Sequence, residues 1–243
     1  MERKSGPLAN IKVRQAISYA IPREQIVKAL YGSYSTPTSS AVDKGAEGYN
    51  PSDTNMYSYD VAKAKQLLAQ AGYPHGFTLS VLDISFFDPG YQLGQALESA
   101  LAQIGITLSL TSTDALPGTA NQMVMSGKYE AQITAASGLG TFSLVHVQFG
   151  TNGPFNPFGA PGDATLNNLV SSAAAASTAA EQSTLMQAAT ARFDQLAWEI
   201  PVASVPTVQA TRASVQNVPA TFQLRELDPF SPVTSDNWYS SNG

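Results

Sequence analysis

The sequence predicts an α/β fold in which a mixed sheet carries helices on both faces. One observation behind this prediction is a strand–helix–strand unit. Phe77–Leu82 and Ile106–Leu110 alternate apolar and polar residues, and an amphipathic helix lies between them. The other is a series of segments whose apolar residues recur every three or four positions after a capping residue. Short links within a strand–helix–strand unit favour a parallel, right-handed crossover.

The first helical stretch is Asn10–Gly32, which predicts two short helices joined at Pro22. The first helix has one buried face, formed by Val13, Ala16, Ile17 and Ala20. Pro22 suits the first turn of the second helix, where its missing N–H costs nothing. Gly32 can take the left-handed position after the second helix ends.

The next stretch, Tyr34–Tyr57, is rich in Ser, Thr, Pro, Gly and Asn and has almost no helical periodicity. It predicts a long surface excursion, and loops of this length are uncommon unless they are functional or pinned down. Asp60 then caps a helix that closes at Gly72. In the strand–helix–strand unit, Asp88 is predicted to cap the helix, with Pro89 at its first position.

The rest of the chain continues the alternation of helices and strands. The predicted elements are a short helix at Thr119–Ser126, a strand at Tyr129–Ala135, a loop at Ala136–Gly140, a short helix at Phe142–Phe149, a helix capped by Asp163, a longer helix opened by a capping box at Thr178–Glu181, and a strand at Pro201–Arg212. The tail Val215–Gly243 is rich in Pro, Asp and Asn and predicts little regular structure.

Composition narrows the class of function. The chain has 243 residues, enough for one α/β domain or two small ones, and no apolar run approaches the length of a membrane span, so a soluble product is expected. Its formal net charge is −5 without a Lys/Arg cluster, which argues against nucleic acid or anionic lipid as a partner. It has no cysteine, which excludes disulfides, thiolate metal sites and Cys nucleophiles.

The sequence offers no constellation for catalysis or for a metal. The two histidines, His75 and His146, lack a second ligand at a useful spacing, so no metal site is predicted. A dinucleotide loop at Gly138–Gly140 would need a third glycine where Ser143 stands. With no Walker motif and no nucleophile elbow, we expect neither an enzyme nor a cofactor.

A binding role fits better, because ligands of open α/β folds gather at the carboxyl ends of parallel strands. Three such ends are predicted, at Ile84–Phe87, Ser112–Asp114 and Ala136–Phe142. Large aromatic side chains stand near these ends: Phe86, Phe87, Tyr91 and Phe142. The alternative reading is that these aromatics pack in the core or cap the sheet.

Three stretches carry a family resemblance. VRQAISYAIPRE, YSYDVAKAKQLLAQAGY and ALESALAQIGITLSL resemble segments of the extracytoplasmic solute-binding proteins of ABC importers, peptide/nickel class (family 5). Pro22 stands where that family usually has Asp. The resemblance implies a type II periplasmic-binding-protein-like lobe and no catalytic activity. It also implies capture of a peptide or other organic solute and docking to ABC permease subunits.

In that family the matched residues lie in the C-terminal lobe of a bilobal protein. The resemblance therefore implies that residues 1–213 form this lobe, that residues 214–243 return toward a missing N-terminal lobe, and that the chain contains half a cleft. An extracytoplasmic location is expected, periplasmic or as a cell-surface lipoprotein, with no signal peptide in this sequence, since Met1 leads into polar residues. A protein-interaction or sensing module on the same fold is the alternative.

The predicted ligand site follows the third strand. Peptide-binding members often carry there a Trp and an Asp that pairs with the ligand's amino terminus, whereas this chain has Ala136 and, near the Asp position, Leu139. A desolvated ammonium group needs a carboxylate partner, so a ligand larger or less charged than a dipeptide is expected. The predicted site comprises Phe86, Phe87, Tyr91, Ala136, Ser137, Gly138, Leu139 and Phe142.

Overall fold

The structure is a computed structural model that describes residues 5–84, 91–135, 140–149, 162–206, 212, 215–216 and 239–240. The chain divides into two compact units, Met1–Ser204 and Val205–Gly243. The α-helices described in the first unit are α1 Ile11–Tyr19, α2 Arg23–Leu30, α3 Val61–Gln70, α4 Gln92–Ala102, α5 Pro117–Met125, α6 Thr141–Ser143, α7 Ala164–Ala174 and α8 Ala179–Leu196. Helix α6 continues as a π-helical turn over Leu144–Gln148.

Side-chain caps start the helices where the sequence predicts them. The carboxylate of Asp60 accepts from the N–H of Lys63 at 2.8 Å, and that of Asp163 accepts from Leu166 at 2.8 Å. The hydroxyl of Thr178 accepts from the N–H of Glu181. Each cap satisfies an N–H group that has no partner inside its helix.

The strands are β1 Thr36–Pro37, β2 Phe77–Ile84, β3 Ile106–Thr113, β4 Ala131–Ile133 and β5 Ala203–Ser204. The central sheet has the order β3–β2–β4, and both pairs of neighbours are parallel. This confirms the predicted parallel crossover between β2 and β3. A separate antiparallel pair joins β1 to β5.

Helices cover both faces of the sheet, as predicted. On one face, Leu79 and Val81 belong to the main core, which is built with α1, α2, α3 and α4. On the other face, Leu82 and Ile84 pack with Ala120 of α5. Because the second half of β2 is buried on both faces, its sequence is an almost continuous apolar run.

A second core lies around the last two helices. Leu166 and Val170 of α7 pack against Phe193 of α8, and Trp198 completes this cluster. Val42, from the Tyr34–Tyr57 excursion, is also buried there. The excursion is therefore part of the folded structure, although it has few regular elements.

Several predicted boundaries are wrong in detail. β2 and β3 run to Ile84 and Thr113, beyond the predicted ends at Leu82 and Leu110. The strand predicted at Tyr129–Ala135 shortens to Ala131–Ile133. In the stretch predicted as the last strand, Pro201–Arg212, the strand described is Ala203–Ser204, and residues 207–211 lie outside the described part. Pro22 precedes α2 as its N-cap instead of occupying the first turn.

A further difference concerns the start of α4. This helix begins at Gln92 with Tyr91 as its cap residue, so Asp88 does not cap it as predicted. Asp88 and Pro89 themselves lie outside the described residues. In the second unit the structure describes one antiparallel pair, β6 Val215–Gln216 with β7 Tyr239–Ser240.

Candidate functional site

The carboxyl ends of the parallel strands meet at one edge of the sheet. Ile84, the last residue of β2, pairs with Thr113, the last residue of β3. Asp83 pairs with Ile133, the last residue of β4. The three strands that lead into the stretches singled out for ligand binding therefore end side by side at this edge, where open α/β folds bind ligands.

At the end of β2, the carboxylate of Asp83 is fully buried. Helix α4 passes so close to this carboxylate at Gly94 that a Cβ at that position would collide with an Asp83 oxygen. Tyr91, just before α4, is half-buried and has a left-handed backbone with φ 62°. This conformation is uncommon for a non-glycine residue, and such strain often accompanies a functional site. The predicted site residues Phe86 and Phe87 lie outside the described part of the chain.

After β4, the structure describes the beginning of α6 but not Ala136, Ser137, Gly138 or Leu139, which remain predictions. Phe142 of α6 is 43% exposed, so it is not a core residue. Its ring centroid lies 4.4 Å from that of His146, which is also exposed. The pair presents an aromatic surface to solvent on the segment that follows the edge of the sheet.

A buried hydrogen-bond network fixes the position of this aromatic pair. The hydroxyls of Thr141 and Thr190 lie 2.6 Å apart and are fully buried. Thr190 also donates to the carbonyl of Gly48 at 2.7 Å, and the N–H of Thr141 donates to the carbonyl of Glu47 at 3.2 Å. The first turn of α6 is thereby attached both to α8 and to the excursion.

Helix α8 holds the excursion through a polar stripe, which we define as Gln187, Thr190 and Asp194. Residues at this spacing lie on one face of a helix. Gln187 donates to the carbonyl of Tyr49, and Asp194 accepts from the N–H of Ala41 at 2.9 Å. With Thr190 bonded to Gly48, the stripe contacts the excursion at two separated places, Ala41 and Gly48–Tyr49. The sequence predicts that a loop of this length is either functional or held in place by contacts. These hydrogen bonds hold it in place.

A group of buried carboxyls lies at the end of this stripe, and we call Asp53, Asp194 and Glu199 the carboxyl cluster. Burial raises the pKa of Asp194 to about 7, although the N–H of Ala41 and the hydroxyl of Ser40 lower it, and Asp53 and Glu199 raise it further. Burial likewise raises the pKa of Glu199 to about 7 and raises that of Asp53.

The two arginines of the VRQAISYAIPRE stretch are structural. Arg14 is buried and donates to the carbonyl of Leu196 at 2.9 Å and to that of Leu8 at 2.8 Å. Arg23 is buried and donates to the carbonyls of Pro201, Ser18 and Tyr57. Burial lowers the pKa of Arg23 to about 10. The stretch therefore joins segments far apart in the sequence.

Sequence reasoning missed the polar stripe, the carboxyl cluster and the roles of both arginines. One signal was available: Thr190 and Asp194 interrupt the inward face that also contains Met186, Ala189 and Phe193. A polar residue on an apolar helix face is either exposed at the margin of that face or buried with a hydrogen-bond partner. The partners of Thr190 and Asp194 are backbone groups of the excursion, which leave no pattern in the sequence.

The described residues offer binding surfaces and no evident centre for chemistry. No group of three or more His, Asp or Glu side chains that could hold a metal ion occurs among them. His75 is exposed in the turn that precedes β2, away from the carboxyl ends of the strands. An exposed aromatic pair on the segment that follows β4 suits recognition of an organic solute.

Comparison with known protein families assigns the chain to one of them. The profile of the family described as bacterial extracellular solute-binding proteins, family 5 middle, matches residues 1–143, more than half of the sequence. The chain belongs to this family. The fold agrees, since its solved structural neighbours include solute-binding proteins with the same α/β architecture.

Among curated proteins, the chain is 38% identical over 112 residues to the glutathione-binding protein GsiB of Salmonella choleraesuis, a match that covers 45% of this chain and 21% of GsiB. Among solved structures, AgaA of A. tumefaciens R10 in complex with agropinic acid is 29% identical, with a TM-score of 0.66 over 78% of this chain and 39% of AgaA.

A dipeptide-binding protein from Pseudoalteromonas sp. SM9913 in complex with Met-Leu has a TM-score of 0.74 at 21% identity, over 89% of this chain and 44% of that one. The chain thus spans about two fifths of the solved proteins that it matches. None of the helices in the described residues is both long enough and apolar enough to cross a membrane.

Proposed function

We propose that this chain is the C-terminal ligand-binding lobe of an ABC-importer solute-binding protein. The lobe comprises residues 1–213, and residues 214–243 return toward an N-terminal lobe of the same protein. It works outside the cytoplasmic membrane without catalysing a reaction. Ligand closes the two lobes, and the closed form delivers the solute to the permease subunits.

The observation that carries this proposal is the common edge at which β2, β3 and β4 end, with Tyr91 just before α4. Phe142, exposed on the segment that follows β4 in the sequence, supports it. Membership of a solute-binding family supports a ligand at this edge. Ala136–Leu139 complete the site on the loop between β4 and α6, and Phe86 and Phe87 complete it on the link between β2 and α4.

The ligand is a peptide or another organic solute that is larger or less charged at its amino end than a simple dipeptide. The sequence after β4 has Ala136 and Leu139 where peptide-binding members often have Trp and Asp. An ammonium group would remain without a carboxylate partner there. Relatives fit this class, since GsiB is a glutathione-binding protein and AgaA was solved with agropinic acid.

The test is calorimetry on the full-length protein with glutathione, agropinic acid and unblocked dipeptides. A Phe142→Ala variant should weaken the binding of whichever solute binds, because it removes a half-exposed ring at the site. Tyr59→Ala is the matched control. Tyr59 is also exposed, but its hydroxyl bonds Gln103, just before β3 starts and so at the other edge of the sheet. Tight binding of unblocked dipeptides would contradict the ligand class.

A second test concerns the proposal that this chain contains one lobe and therefore half of the ligand cleft. This chain alone should fold and bind the solute weakly, because one lobe cannot surround a ligand. Micromolar or tighter affinity of this chain alone would contradict the two-lobe arrangement. Equal losses from Phe142→Ala and Tyr59→Ala would contradict the placement of the site.

A further inference from the structure

The carboxyl cluster brings three acidic side chains together near the end of α8. Asp194 is 2% exposed and Asp53 is 4% exposed. In each residue the Oδ2 atom is buried and has no hydrogen-bond partner among the described residues, and the same is true of Oε2 of Glu199. An ionised carboxylate in such a position is costly, whereas a protonated one can donate a hydrogen bond.

The cluster lies where the excursion is attached to α8. The N–H of Ala41 donates to Asp194 at 2.9 Å, and the hydroxyl of Ser39 donates to the carbonyl of Asp53 at 2.9 Å. The hydroxyl of Tyr57 donates to the carbonyl of Asp194 at 3.0 Å. The carboxylate of Asp194 and the backbone of Asp53 are therefore bonded to the same short segment, residues 39–41, and Glu199 follows the end of α8.

The charged and titratable groups around Asp194 come from several elements. Asp53 faces it from the excursion and Glu199 from beyond α8. The chain's N-terminal ammonium group lowers the pKa of Glu199, and Asp43 raises it. Tyr57 is close, and the Arg14 guanidinium is the nearby cation, though it donates to the carbonyl of Leu196. Two further acidic side chains, Asp53 and Glu199, therefore raise the pKa of this carboxyl.

We propose that the carboxyl cluster is a proton-dependent lock, closed when Asp194 and Glu199 are protonated and loosened when they ionise, and that it controls how firmly the excursion is held against α8. The raised pKa values of both groups, about 7, agree with protonation in a mildly acidic medium. Ionisation places negative charges next to one another in a dry site, and the segment that can move away is the excursion.

The lock bears on the ligand site through the same helix. Thr190 lies one turn before Asp194 and joins the excursion to Thr141, which precedes Phe142. A loosened excursion therefore allows the aromatic pair to move, so solute is retained more firmly in mildly acidic than in alkaline medium. This last consequence rests on the proposed function, whereas the lock itself does not.

Hydrogen exchange on the chain without ligand tests the lock. After correction for intrinsic exchange, amides in residues 38–57 should exchange at least about tenfold faster at pH 8 than at pH 5.5 in the wild type, a ratio equal to one pKa unit of linkage. In Asp194→Asn, which keeps an acceptor for Ala41 and resembles the protonated acid, this difference should largely disappear. Asp60→Asn, at an exposed helix cap, should retain it.

A wild type without pH-dependent exchange in this segment would overturn the proposal. So would an Asp194→Asn variant that keeps the full pH dependence. If Asp194→Asn fails to fold, Asp53→Asn gives the same comparison, because it also removes one carboxyl of the cluster. Solute binding does not enter these measurements, so failure of the proposed function would leave their outcome unchanged.

Discussion

At the scale of single residues, Arg23 shows how a buried cation can be accommodated without a carboxylate. Its guanidinium donates to the carbonyls of Pro201, Ser18 and Tyr57, and to the hydroxyl of Ser18. The planar group has five donors in a fixed fork, so one side chain can satisfy several carbonyls at once. Arg23 thus joins α1, α2, the excursion and the stretch after α8.

Arg23→Met should destabilise the fold by about 3 kcal/mol or more, because it leaves several buried carbonyls without donors. Lys28→Met, on the exposed side of the same helix, should change the free energy of unfolding by less than about 0.5 kcal/mol. Urea denaturation of both variants measures the difference. Similar losses of stability in the two variants would mean that Arg23 stabilises the fold only through its positive charge and not through its hydrogen bonds.

Gly48 is a second residue on which the excursion depends. Its φ is +83°, and a Cβ would collide with the hydroxyls of Thr141 and Thr190. Gly45 has a similar φ of +95° but open space around it. The pair therefore separates the cost of the backbone conformation from the cost of the collision.

Gly45→Ala should cost about 1 kcal/mol for the left-handed backbone alone. Gly48→Ala should cost about 2 kcal/mol more than that, because the hydroxyl network must also move. Thermal unfolding gives both values. Equal costs would show that the network moves freely, and would weaken the view that it fixes α6.

At the scale of elements, α8 has two roles on neighbouring faces. Its apolar residues complete the second core, and its polar stripe holds the excursion. A loop without regular structure has many backbone groups to satisfy. The stripe supplies part of that demand from a rigid helix, so the loop bonded to the first turn of α6 is held in one conformation.

Thr190→Val tests this role, because valine has the same shape without the hydroxyl. It should cost about 2 kcal/mol, since the carbonyl of Gly48 and the hydroxyl of Thr141 lose a partner in a buried site. Hydrogen exchange should accelerate in the excursion and at the start of α6. Thr184→Val is the control, because that hydroxyl bonds Ala180 of its own helix and is exposed. A comparable effect of Thr184→Val would contradict a specific attachment.

The elements that the sequence predicts well are those with local causes. Helix α3 follows from Asp60 and its apolar spacing, and the pairing of β2 with β3 follows from their alternation and the helix between them. The ends of β4 and β5 depend on what the neighbouring strands offer, which no local pattern records. Of the candidate site, the sequence predicts the edge of the sheet, whereas the buried network behind Phe142 depends on contacts between residues more than forty positions apart.

At the scale of the described first unit, the two cores are joined by α1 and α8. Arg14 and Gln15 of α1 donate to the carbonyls of Leu196 and Gln195, at the end of α8. Next to this junction lies the carboxyl cluster, and Asp163, the N-cap of α7, forms an ion pair with Arg192 of α8 at 2.7 Å. Proton binding at these two places affects stability in opposite directions.

The two groups predict a pH optimum for stability. The Arg192 hydrogen bond is the main reason why the pKa of Asp163 lies below its ordinary value of 3.8, so this pair stabilises the fold above about pH 4 and its contribution is lost as the pH falls further. Burial raises the pKa of Asp194 to about 7, so its contribution is complete below about pH 4 and is lost as the pH rises to about 7.

Urea denaturation from pH 3 to pH 8 measures both limbs as differences between wild type and variant. Relative to Asp194→Asn, the free energy of unfolding of the wild type should fall by up to about 4 kcal/mol between pH 4 and pH 7. Relative to Arg192→Leu, it should keep an advantage of about 1 kcal/mol above pH 4, since the pair is partly exposed, and lose it below. Parallel curves for wild type and Asp194→Asn would show that Asp194 has the same proton affinity in the folded and unfolded chain, and would remove the basis for a pH-dependent attachment of the excursion.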